Sequence, residues 1–296
     1  MPATNTPSVS VILATANRGE LLGQAICSVL AQTGSEFELL VMDCGSEGET
    51  EAVVRDFEDD RIRYFYLEQA DRAAACAEGI RRSRGKWLAF MDVHALWQPQ
   101  FLSALTQALE LAGPETGVAY AGAVIQNPAG EDTRWLPQGH FPQGRVARDL
   151  FAGPCIAPAS LLVQSSLIQP LCQSTQRFWL HNDDVMSLWL SAKTAFVPVK
   201  QRLLILRVMD GHQARGLDPL DTVRGDALIR AMSELPGMVP GRYGRRCLAR
   251  FHGRCADHSA STGQVGAAFG SALRALLYTP FSVSAWSRVL KMAVGA

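Results

Sequence analysis

The stretch Ser8-Val9-Ser10-Val11-Ile12-Leu13-Ala14-Thr15-Ala16-Asn17-Arg18 decides how this chain is read. It is a continuous apolar run that ends in small polar residues. Next comes an interval with Leu21, Leu22, Ala25, Ile26, Val29 and Leu30 on one helical face. A second run of the same kind follows, Phe37-Glu38-Leu39-Leu40-Val41-Met42-Asp43-Cys44-Gly45-Ser46. Strand, helix, strand in this order is a βαβ unit. Its strands run parallel, and their polar carboxyl ends bound a crevice of nucleotide size.

The alternation continues outward. Residues 49–57 read as helix and 62–67 as strand. Residues 72–83 read as an alanine-rich helix ended by Gly85, 87–91 as a strand stopping at Asp92, and 99–111 as helix. The fold class is therefore α/β, with a mostly parallel central sheet and helices on both faces. Past Gly113 the pattern changes. Residues 118–125 read as strand, 127–144 as a loop or hairpin carrying Trp135, His140 and Phe141, and 156–163 as an apolar run. Residues 183–192 read as helix, and 196–198 and 203–208 as two strands. From about residue 209 to 296 the sheet pattern stops and helices are expected.

The 296 residues are 48% hydrophobic and 19% charged, which excludes a disordered chain. Formal net charge is zero, so nothing points to nucleic acid as a partner. The seven cysteines are scattered without CxxC spacing and read as reduced thiols of a cytosolic protein. Residues 1–7 show neither a charged nor an apolar segment of a signal peptide. No stretch is apolar and long enough to span a bilayer.

Six short segments in register carry a resemblance. They are Ala14-Thr15-Ala16-Asn17-Arg18, Ser28-Val29-Leu30-Ala31-Gln32-Thr33, Val41-Met42-Asp43-Cys44-Gly45-Ser46 and Gly85-Lys86-Trp87-Leu88-Ala89-Phe90-Met91-Asp92 with Leu96-Trp97-Gln98-Pro99 beyond it. The later two are Ile156-Ala157-Pro158-Ala159-Ser160 and Asn182-Asp183. In order and spacing they resemble the family-2 nucleotide-sugar glycosyltransferases, over about residues 8–210. The resemblance implies a Rossmann-like nucleotide-diphospho-sugar transferase fold. Residues 1–210 would form the transferase domain, with a nucleotide-sugar half at about 8–112 and an acceptor half at about 113–210. Residues 211–296 would form a helical, basic extension.

By the same resemblance, Thr15, Asn17, Arg18, Asp43, Cys44, Ser46 and Asp92 line the donor site. Asn17 also reads as the cap of the following helix, and Asp43 as a turn residue holding backbone amides. Ala16 replaces the tyrosine that packs on the base. Cys44 replaces a second aspartate, and a thiol is a poor acceptor. The metal turn reads Asp92-Val93-His94-Ala95. Ala95 falls on the main metal aspartate and cannot ligate. Two readings stand side by side: a rearranged Mn²⁺ or Mg²⁺ site from Asp92, His94 and His212, or a site that has lost its metal. The helix at 75–79 lacks the usual Arg-Asn pair; Arg72 reads as a solvated helix arginine or as a substitute. Asp183 aligns with the carboxylate that deprotonates the acceptor, and Asn182 or Asp183 reads as the cap of the helix that follows.

After Gly241 there are eight basic residues and one acid, Asp257, interleaved with Phe281, Trp286 and aliphatic positions. This pattern suits either a helix packed on protein or one lying on an anionic membrane surface. The function implied is inverting transfer of a sugar from a nucleoside-diphosphate donor to a hydroxyl of a glycan or lipid-linked acceptor. The setting implied is bacterial polysaccharide or glycolipid assembly, in the cytoplasm or at the inner face of the cell membrane. The alternative is an inactive, transferase-like scaffold.

Overall fold

The computed structural model describes residues 7–17, 19–208 and 222–294. Strands β1 (Val9–Thr15), β2 (Phe37–Asp43) and β3 (Ile62–Tyr66) alternate with helices α1 (Gly19–Leu30), α2 (Glu49–Arg55) and α3 (Arg72–Arg82). Then come β4 (Trp87–Met91), the short β5 (Ala95–Trp97) and α4 (Phe101–Leu111). The chain continues through β6 (Thr116–Gln126), β7 (Asp132–Leu136), α5 (Ala147–Ala152), β8 (Leu161–Gln164) and α6 (Ser165–Ile168). Two 3-10 turns, Gln169–Cys172 and Ser174–Leu180, lead into α7 (Asp183–Ser191) and β9 (Ala195–Arg207). Last are α8 (Thr222–Glu234), α9 (Gly241–Ser261), α10 (Val265–Tyr278) and α11 (Val283–Val294). Among the described residues the chain forms two compact units. One carries the whole sheet with α1–α4, α6 and α7; the other carries α5 and α8–α11.

The sheet runs in the order β3-β2-β1-β4-β8-β6-β9-β5, with β7 beside β6. The first four strands pair in parallel, as the βαβ pattern requires. β8 joins β4 and β6 antiparallel, β6 and β9 are parallel, and β5 and β7 close the far side antiparallel. Alternation along β1 gives the layers. Val9, Val11 and Leu13 face one core with Leu22, Ile26 and Val29 of α1 and Phe101, Leu102 and Leu105 of α4. Ile12 points the other way, against α3. A Cβ on Gly79 would lie 2.7 Å from Ile12 Cγ2, so only glycine lets that helix approach this closely.

Residues 195–207 form one strand, where the apolar pattern suggests two. The register with β6 jumps from Ala121↔Val199 to Gly122↔Arg202, so Lys200 and Gln201 bulge out and pairing resumes. Apolar periodicity breaks at such a bulge although the backbone continues.

One buried polar cluster ties the parallel strands at their amino ends. Glu38 accepts hydrogen bonds from Ser10 Oγ at 2.7 Å, Arg84 N at 2.8 Å and the Arg63 guanidinium at 2.7 Å. Burial works against the Glu38 carboxylate, but these donors outweigh it and hold its pKa below the usual value.

Candidate active site

The carboxyl ends of β1, β2 and β3 are stitched together by their own polar residues. Cys44 N donates to Thr15 O at 2.8 Å, and Asn17 N to Ser46 Oγ at 2.9 Å. Glu47 N donates to Asn17 Oδ1 at 3.2 Å. Asn17 therefore does not cap α1. It sits in the left-handed region at φ 49°, and its side chain pins the loop after β2. Asp43 is buried and held on both oxygens: Ser46 N donates to one at 2.9 Å and Tyr64 Oη to the other at 2.6 Å. The turn role anticipated for Asp43 is present, and Tyr64 is a partner that no motif announced. Thr15 Oγ1 is buried without a hydrogen bond. Burial, then the charge of Asp43, pushes the Cys44 thiol pKa up, so Cys44 is a neutral side chain and not a thiolate.

The second half of the site comes from α3, α7 and the loop before β8. Asn182 caps α7, its side chain accepting from Val185 N at 2.9 Å. That frees Asp183, the first residue of the helix, to point elsewhere. Its Oδ1 accepts from Arg72 at 2.8 Å and its Oδ2 from Ala159 N at 2.6 Å. Ala159 is held in the left-handed region at φ 58°, and its carbonyl accepts from Trp97 Nε1 at 2.8 Å. A non-glycine residue kept in that region is a local cost that the surrounding bonds sustain.

Arg72 is thus not the solvated helix arginine of the sequence reading. Its side chain is only 20% exposed, and its other donor lies 3.4 Å from Cys76 Sγ. Burial disfavours the Arg72 cation, but the charges of Asp183 and Asp92 and the hydrogen bond to Asp183 more than offset this, and its pKa is raised. Burial likewise pushes the Cys76 thiol up to about 11.

Asp92 ends β4. Its Oδ1 accepts from His94 N at 2.9 Å, closing a tight turn. Arg207, at the end of β9, braces that turn: its guanidinium donates to Val93 O at 2.7 Å and to Gln24 Oε1, and its own N–H to His94 O at 2.9 Å. Burial lowers the Arg207 pKa, and Asp92 works against that.

The structure brings Asp183, Arg72, Asp92 and Arg207 into one electrostatic group, two acids against two guanidinium groups. The stitched loops hold Thr15, Asn17, Asp43, Cys44 and Ser46. Arg18 and His212 lie outside the described residues. Among the described residues, no group of three or more His, Cys, Asp or Glu converges to hold a cation. Among the described residues Asp92 offers a hard cation one carboxylate, and a diphosphate and water would supply further ligands, the usual mode for Mg²⁺ at phosphates. Tyr64, Arg207 and the inward turn of Arg72 are the site residues that the sequence reading missed. Trp135, on the β6–β7 hairpin, is half-exposed with the Arg202 guanidinium 3.3 Å over its ring.

Asp43 and Asp92 at the carboxyl ends of β2 and β4, with Arg72 of α3, Asp183 of α7 and Arg207 of β9, define an α/β protein with a charged crevice where open parallel sheets place their ligands. Residues 10–167 match the profile of "Glycosyl transferase family 2", and the chain belongs to that family. Over 131 residues, 44% of the chain, it is 30% identical to an uncharacterized glycosyltransferase of Rickettsia bellii. Over 116 residues, 38% of the chain, it is 35% identical to validoxylamine A glucosyltransferase of Streptomyces hygroscopicus subsp. jinggangensis. These matches span only 19% and 27% of the two relatives' own lengths. Among solved structures, S. aureus TarS 1-349 in complex with UDP-GlcNAc superposes with a TM-score of 0.65. The alignment covers 96% of this chain and 89% of that one at 13% identity, a likeness of fold.

Proposed function

We propose that this protein is an inverting glycosyltransferase. It moves a sugar from a nucleoside-diphosphate donor to a hydroxyl of a glycan or lipid-linked acceptor in bacterial polysaccharide or glycolipid assembly. The observation that supports this best is Asp183. It sits at the first position of α7, with Asn182 taking over the cap, a backbone N–H on one oxygen and a buried guanidinium on the other. Each carboxylate oxygen keeps a lone pair to spare.

Asp183 takes the proton from the acceptor hydroxyl as that oxygen bonds to the anomeric carbon. The bond from that carbon to the diphosphate breaks at the same time, and its electron pair leaves with the diphosphate. The α7 amino terminus favours a negative charge at this position. Arg72 orients the carboxylate and offers positive charge toward Asp92, the side where the diphosphate lies in this reading. Arg207 keeps the 92–94 turn in place. Thr15, Asn17, Asp43, Cys44 and Ser46, with Arg18, shape the base and ribose end. Asp92, with His94 and His212 as the further candidates, would hold a divalent cation shared with the diphosphate, and such a cation offsets the charge that develops on the leaving group. The basic carboxyl-terminal helices lie on an anionic membrane surface at the inner face of the cell membrane. No helix among the described residues is long and apolar enough to cross a membrane.

Product analysis tests this. With the correct donor and acceptor, Asp183→Asn lowers turnover by roughly 10²–10⁴-fold, the usual worth of a positioned base. It leaves nucleotide affinity nearly unchanged, because an amide fills the same space. Turnover that survives in Asp183→Asn contradicts the assignment.

A further inference from the structure

The carboxyl-terminal helices turn their small residues inward and their large apolar residues outward. Helix α10 buries Ala268, Ala272 and Ala275, while Val265, Phe269, Leu273 and Leu277, spaced four apart, face solvent. Helix α11 buries Ala285 and Val289 and exposes Val283, Trp286 and Leu290. Leu277 is 79% exposed, Val283 84%, and Phe281 in the turn between the helices 97%. A helix face made for water is patterned the opposite way.

Beside this apolar ridge lies a cavity of about 510 Å³ between α9 and the α10–α11 turn. Arg242, Arg245, Arg246, Arg250 and Arg288 line it, and Phe281 stands on its rim. The first four follow one face of α9 at positions i, i+3, i+4 and i+8. Arg288 is paired with Asp257 at 3.0 Å; among the described residues the other four make no ion pair. Ser282 and Ser284, their hydroxyls bonded to each other at 2.9 Å, add polar groups at the same wall. Uncompensated guanidinium groups around a concavity make a site for a phosphate or other oxyanion, which they grip bidentately.

We infer that this cavity binds the phosphate of an anionic phospholipid headgroup, with Phe281, Leu277 and Val283 entering the acyl boundary beside it. The inference rests on the membrane-surface part of the proposed function and gives it a site. An apolar ridge next to a cationic hollow matches the two layers of a lipid interface, apolar below and anionic above. A soluble phosphate ligand would engage the arginines and leave the ridge without a role.

The test is co-sedimentation of the full chain with vesicles, either pure phosphatidylcholine or phosphatidylcholine with about one third phosphatidylglycerol. Binding to the anionic vesicles should exceed binding to the neutral ones by about tenfold or more and fall with salt. The double variant Arg245→Glu/Arg246→Glu should lose about tenfold or more, and Phe281→Ser several-fold. Arg254→Glu replaces a positive by a negative charge on α9 outside the cavity, half the charge change of the double variant, and should stay within about twofold of the parent. Loss with Arg254→Glu as large as with the double variant would reduce the effect to overall charge and overturn the site. Inorganic phosphate bound by the arginines with no vesicle binding would overturn the lipid assignment. So would a dimer seen by light scattering that Phe281→Ser dissociates, again with no vesicle binding. Circular dichroism checks that each variant is folded. Nucleotide titration of the same variants separates the two ideas. Intact nucleotide binding without vesicle binding sinks this inference and leaves the transferase reading standing.

Discussion

Replacing Arg72 by methionine removes the cation from a pair in which Asp183 is 4% exposed and Arg72 20% exposed. Stripping one partner from a fully buried pair costs about 3–5 kcal/mol, because the other charge stays buried without compensation. Arg72 keeps a fifth of its surface in water, so the low end applies, about 3 kcal/mol. Asp183→Asn keeps the bond from Ala159 N but leaves Arg72 facing Asp92 alone, for about 2 kcal/mol. If the two side chains act mainly on each other, the double variant also costs about 3 kcal/mol rather than the sum, a coupling of about 2 kcal/mol. Urea unfolding followed by circular dichroism reads the totals, and hydrogen exchange of α3 and α7 assigns them to this unit. Single-variant costs that add to within about 0.5 kcal/mol would show that the pair is not coupled, and the geometric account of the base would fall.

Three further outcomes follow from the same structure. Glu38 has a lowered folded pKa, so its contribution to stability is full above about pH 4.5, its unperturbed value, and fades as pH falls through the lower folded value. Acid unfolding of Glu38→Gln should show a weaker pH dependence below pH 4.5 than the parent, and identical slopes would refute the claim. Gly79→Ala should destabilise by about 1–3 kcal/mol in thermal or urea unfolding, although alanine is the better helix former, because its Cβ would meet Ile12 at 2.7 Å; a stabilised variant would contradict the packing. Two guanidinium groups balance Asp92 and Asp183, so Mn²⁺ alone should give little heat in calorimetry and should bind only together with a nucleoside diphosphate; tight Mn²⁺ binding by the protein alone would refute this balance.

The parts of this fold legible in the sequence were those with local causes. Continuous apolar runs ending at Thr15, Asp43 and Met91 announced parallel strands, and Asn182 ahead of an apolar helix announced a cap. What stayed hidden had non-local causes. Arg72 opens an alanine-rich helix and looks solvated until its partner, 111 residues later, is brought to it. Arg207 closes a strand whose apolar pattern is broken by the bulge at Lys200 and Gln201, so its position against the Asp92 turn could not be counted from the motif. Helix α5 is short and lies between glycine- and proline-rich segments that read as loop. Asn17 satisfies the rule for a cap yet serves a loop 30 residues away, a choice set by how β1 and β2 end side by side.

The central claim is that the crevice binds a nucleoside diphosphate at Asp92. Calorimetric titration with a panel of nucleoside diphosphates, with and without Mn²⁺, on the parent and Asp92→Ala tests it most directly. The account predicts that at least one nucleotide binds, that Mn²⁺ strengthens it, and that Asp92→Ala abolishes the Mn²⁺ effect. No binding of any nucleotide in either condition would contradict it.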